Sequence, residues 1–174
     1  IDIRLFGDSL GFEWESKIFG NQEGTHMLQG VDNDANWHHY AVQISDDVLS
    51  VFLDGVNVYE EIVSETAPNF FDFSGPFTNL LIGVNSDQES SYFKGLISEI
   101  KISSVAQYSD NFNPDSLRAD ETTVSLWKFN SNSGDVLYDL SGNENHGAIY
   151  GDPTWTTDVP ALYGQTGLIV GTSY

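Results

Sequence analysis

Cysteine is absent from the 174 residues, so no disulfide framework, thiolate nucleophile or thiolate-bound metal enters the account. Basic residues are nearly as scarce. Only 6 Lys and Arg stand against 26 Asp and Glu, a formal net charge of -20. Such a field repels phosphate backbones and anionic lipid, which argues against nucleic acid partners and membrane insertion. It favours cations and suits calcium-rich or salty surroundings, although acids spread over a surface also simply keep a chain soluble. No apolar run approaches the roughly 18 to 20 residues that span a bilayer. Helical periodicity is also almost missing; only "SSVAQYSDNF" (103–112) could hold a helical turn.

What the chain does have is β-structure signal. Short runs rich in Val, Ile, Phe and Tyr follow one another, separated by Gly, Asn, Asp and Ser. The expected strands are "IDIRLF", "GFEWES", "HHYAVQI", "VLSVFLDG", "VNVYEEI", "NLLIGVN", "LISEIKIS", "VSLWKF", "VLYD" and "HGAIYG". Many short strands with turn signals between them predict an all-β, two-sheet antiparallel β-sandwich. The period-2 phase predicts a core of Tyr40, Val42, Ile44, Leu49, Val51, Leu53, Leu96, Ile100 and Trp127. Asp54-Gly55 supplies the positive φ angles of a tight hairpin turn.

Three blocks carry a family likeness: "WHHYAVQISDDVLSVFLDGVNV", "LLIGVNSDQESSYFKGLISEIKIS" and "LWKFNSNSGDVLYDLSGNENHGAIYG". Together, over residues 37 to 151, they resemble laminin-G-like jelly-roll domains of the concanavalin A-like lectin/glucanase superfamily. Two departures accompany the likeness. Ser98 stands where the family's Ile-Asp-Glu block carries Asp, and the Asp-x-Ser-Gly-Asn block, which normally opens such a domain, lies near the C-terminus. One domain over 1–174 is expected. Either residues 119–174 complete the sandwich from the C-terminal side, or the chain is cut from a longer tandem protein.

The candidate metal site is "YDLSGNENHG". Asp139, Ser141, Asn143 and Asn145 fall on alternate positions, as oxygens do at the start of a calcium loop. Gly142 comes too early for an EF-hand, and the closing Glu is missing. One structural calcium ion would use these four side chains and backbone carbonyls near Gly147. The alternative is an Asx-turn in which Asp139 and Asn143 cap backbone amides.

For sugar contact the candidates are Trp14, Asp87 and Tyr92: an aromatic between two acids, and a polar loop that ends on an aromatic. Trp37 and Trp127 read as core, and adjacent His38 and His39 on a strand would point to opposite faces. Glu13 and Glu15 share a face without the third acid that related glucanases place along one strand, so no enzyme is expected. The sequence therefore points to a non-catalytic carbohydrate-binding module, extracellular or at a cell surface. Its partners would be a glycan or glycoprotein surface and neighbouring domains. The competing class is a structural or adhesion domain of a larger surface or fibre protein.

Overall fold

A computed structural model describes residues 2–6, 9–16, 22–29, 36–62, 80–84, 93, 95–131, 133–160 and 167–170. Side chains are described for these residues except in 2–6, 9–16, 22–29 and 167–170. The strands are β1 (Asp2–Phe6), β2 (Ser9–Ser16), β3 (Gln22–Gln29), β4 (Tyr40–Ser45), β5 (Val48–Leu53), β6 (Val56–Ile62) and β7 (Gly95–Ile97). They continue as β8 (Glu99–Ser103), β9 (Thr123–Lys128), β10 (Val136–Leu137), β11 (Gly147–Ala148), β12 (Thr154–Thr156) and β13 (Gly167–Val170). No helix forms among the described residues, and the strand pairings are antiparallel. The chain is thus all-β in the manner of a concanavalin A-like sandwich.

Two compact units divide it: Ile1–Leu80 with Tyr108–Asn113, and Leu81–Gln107 with Pro114–Tyr174. In the first unit, β1-β2-β3 form one three-stranded meander and β4-β5-β6 another. The β4–β5 hairpin turns on Asp46 and Asp47, both at positive φ (48 and 64), between paired Ser45 and Val48. The β5–β6 hairpin turns on Asp54 and Gly55 (φ 50 and 78), as the Asp-Gly pair predicts. The Asp54 carboxylate also closes the strand mouth: it accepts from the His39 N–H at 2.9 Å and pairs with His38 Nδ1 at 2.7 Å.

Val51 is fully buried, with Tyr40, Val42, Leu53 and Tyr59 packed against it. The segment from Tyr108 to Asn113 is not a helical turn. It lies against the hairpins: Gln43 exchanges two hydrogen bonds with the Tyr108 backbone, and the Phe112 N–H donates to the Gly55 carbonyl. Its rings stack, Tyr108 on Phe112 at 3.6 Å between centroids, beside His39 and Phe52.

In the second unit, β8 pairs with β9, β12-β13-β7 form a sheet, and β10 pairs with β11. Trp127, Phe129 and Leu137 are buried at its core, with Ile82, Ile97, Ile100, Ile102, Ile149 and Trp155 around them. Ile97 joins Ile100 and Ile102 there, whereas simple alternation puts Leu96 on their face. The reason is Ser98, which separates β7 from β8 and shifts the phase by one residue. The expected strand "NLLIGVN" is not formed over Leu80–Val84, where pairing is confined to Val84. Strands β3, β12 and β13 carry no clean alternation and were not expected from the pattern.

Candidate functional site

The segment from Val136 to Tyr150 runs up β10, around the Asp139 loop and back down β11. Gly142 (φ 93) and Glu144 (φ 60) take the left-handed conformations that let so short a loop close. Leu137 and Ile149 point inward to the Trp127 core, and the loop itself lies along β9 on the side away from β8.

The four predicted ligands do come together, around the carbonyls of β9. Asp139 is only 7% exposed. Its Oδ1 accepts from the N–H groups of Leu126 and Ser141, both at 2.9 Å. Its Oδ2 accepts from the Ser141 hydroxyl at 2.6 Å and the Asn145 N–H at 3.0 Å. The side-chain amides of Asn143 and Asn145 each donate to the Val124 carbonyl at 3.0 Å, and Asn143 also reaches the Thr123 carbonyl. The Trp127 indole N–H donates to the Asn145 carbonyl at 2.9 Å. The Leu140 N–H reaches the Leu126 carbonyl at 2.7 Å.

The arrangement supplies β9 with a partner made largely of side chains. So placed, the residues do not fit a calcium ion. All four acceptor positions of the one carboxylate are occupied, and both amides present N–H groups, not oxygens, to the carbonyls. Among the described residues no group of three or more His, Asp or Glu could hold a metal either. The Asx-turn alternative matches this geometry at Asp139, which accepts from the Ser141 N–H. It does not hold at Asn143, whose side chain donates to carbonyls of β9 and so extends the turn into a latch on the strand edge.

Burial alone would push the Asp139 carboxyl up. The hydrogen bonds from Leu126, Ser141 and Asn145 outweigh it and hold the group down at about 2.

Glu99 is a second buried carboxylate among the described residues of this unit, its side chain 5% exposed. It accepts from Lys128 Nζ at 3.0 Å, the Ser116 hydroxyl at 2.8 Å and the Leu117 N–H at 2.6 Å. Beside it the Ser98 hydroxyl is buried without a hydrogen-bond partner.

Trp14 lies in mid-β2 with its backbone opposite Gly24, and its side chain lies outside the described residues. Asp87 and Tyr92 also lie outside them. What the sequence reading missed is the outer side of the β10–β11 hairpin. There Tyr138 is 60% and Tyr150 86% exposed, and the Tyr138 ring meets His146 edge-on at 5.3 Å. The signal was present: His146, Ala148 and Tyr150 alternate with Gly147 and Ile149.

A laminin G family model, described as the concanavalin A-like lectin/glucanases superfamily, matches residues 3–111. The chain belongs to this family. The match contains β7 and β8, while β9 and β13, which pair with them, lie beyond it. The Asp139 loop of this laminin G-like chain therefore also falls outside the matched residues. No curated protein and no solved structure matches the chain significantly. Among the described residues, no helix is long and apolar enough to cross a membrane.

Proposed function

We propose that the chain is an extracellular or surface recognition module of the lectin kind, binding carbohydrate without cleaving it. The family description spans both lectins and glucanases, so the question is which chemistry the carboxylates can support. The observation that favours binding is the state of the two buried acids found among the described residues of the second unit. Asp139 and Glu99 each accept hydrogen bonds from backbone amides and side chains that tie loops to β9 and the Glu99 strand. A glycosidase needs one carboxyl free to donate a proton and another free to attack or to activate water. Neither acid is free for either task. Trp14, Asp87 and Tyr92 remain the contacts proposed from the sequence.

The test is a glycan array on the intact chain, followed by incubation of each bound oligosaccharide with the protein. Saturable binding with no hydrolysis is expected. Release of reducing ends would place the chain with the glucanases. A flat array would favour the competing class, an adhesion or spacer domain of a larger surface protein.

A further inference from the structure

We propose that the outer side of the β10–β11 hairpin, carrying Tyr138, His146 and Tyr150, is a contact surface for an uncharged oligosaccharide. The inference names a site for the recognition function above and rests on it.

Cross-strand geometry puts the three rings on one side. Val136 pairs with Ala148 and Leu137 with Gly147, and the Ile149 N–H bonds the Asp135 carbonyl, carrying the ladder one step further. Opposed residues share a face and neighbours alternate. With Leu137 and Ile149 in the core, Tyr138, His146, Ala148 and Tyr150 stand outward. His146 and Tyr150 are four residues apart, about 13 Å at the usual strand rise. Between the rings this face carries Val136 opposite Ala148, a small apolar floor, with Gly134 beyond it. An extended chain of sugars can lie along such a face with ring C–H groups on the tyrosines.

The support is rigid, since the Asp139 latch fixes the loop on which both Tyr138 and His146 sit. The Asp139 N–H donates to His146 Nδ1 at 3.1 Å, which assigns the ring proton to Nε2. Nε2–H is then a donor on an exposed ring that meets the Tyr138 ring edge-on.

Charge selects the occupant. Residues 129–174 contain no Lys or Arg, and exposed Asp135, Glu144 and Asp152 flank the hairpin. A sulfated or sialylated glycan, a phosphate or an acidic peptide would be repelled. A second copy of a chain with net charge -20 would be repelled too. Acidic side chains with tyrosine and imidazole donors suit the hydroxyls of a neutral sugar.

The probes are cellohexaose, maltohexaose and xylohexaose, with heparin as the anionic comparison, titrated calorimetrically into the wild type and into Tyr138→Ala and Tyr150→Ala. A neutral hexaose should bind the wild type, and each variant should lose about tenfold or more in affinity. Tyr150 touches little of the fold, so its variant should melt with the wild type. Equal binding by wild type and both variants would overturn this site while leaving glycan recognition standing, with Trp14→Ala the next variant. Preference for heparin would also overturn it, as would self-association abolished by Tyr150→Ala. Wild-type protein that binds no neutral hexaose overturns the site; silence across the whole glycan array as well removes the recognition function beneath it.

Discussion

Asp139 is the residue on which most of the C-terminal loop depends, because its two oxygens terminate donors from three backbone amides and a hydroxyl. Its carboxyl is held at about 2, below the ordinary carboxylate value of 3.8. A group whose folded value is depressed stabilises the fold above its unfolded value, and that contribution fades as pH falls through the folded value. The window is therefore pH 4 down to 2. At neutral pH the shift corresponds to an order of 2 kcal/mol. Asp139→Asn keeps the size but removes the charge, so it should be less stable at pH 7 by about that amount. The gap from wild type should narrow between pH 4 and 2, as urea midpoints across that range would reveal. A gap independent of pH would mean that the hydrogen bonds do not favour the ionised form.

At the scale of elements, the two hairpins of the β4-β5-β6 sheet show what a sequence can and cannot announce. Asp54-Gly55 is a turn that chemistry demands, since its second residue takes φ 78 without a Cβ. Asp46-Asp47 makes the same kind of two-residue turn with two side chains at positive φ and two adjacent like charges. That turn is tolerated, not ideal. Asp46→Asn with Asp47→Gly should raise stability by about 0.5 to 1 kcal/mol, read as a higher urea midpoint at unchanged slope. No gain would mean that the carboxylates make compensating contacts.

The same contrast explains the rest of what was legible. Alternation correctly marked Leu49, Val51 and Trp127 as core, because each lies in an uninterrupted strand. It failed at Ile97, where a single residue between β7 and β8 reverses the phase. The helical turn allowed at 103–112 does not form, because the aromatics there serve tertiary packing. In the loop, the alternating oxygens of Asp139, Ser141, Asn143 and Asn145 were visible in sequence, but their direction was not. Amide groups can offer nitrogen or oxygen, and only the carbonyls of Thr123 and Val124 decide which.

For the whole molecule the dominant quantity is a net charge of -20, and it gives calcium two separable ways to act. Any salt screens the repulsion among 26 acids, over a Debye length of about 10 Å at 0.1 M, so stability should rise when sodium chloride is added to a dilute buffer. That effect belongs to ionic strength, not to a site. A specific site adds RT ln(1 + [Ca²⁺]/Kd), about 2.7 kcal/mol once calcium exceeds Kd a hundredfold. The latch leaves the carboxylate of Asp139 without a vacant acceptor position, so no specific increment should come from this loop. Any difference between melting temperatures in calcium chloride and in sodium chloride at matched ionic strength should be the same for the wild type and for a variant that lacks the Asp139 carboxylate. Asp139→Ala should lower the melting temperature by the same amount in calcium and in chelator, since three backbone donors lose their acceptor whichever ion is present. A saturable rise peculiar to calcium, erased by Asp139→Ala, would require the Asn143 and Asn145 amides to turn their oxygens toward an ion and the latch to open around it.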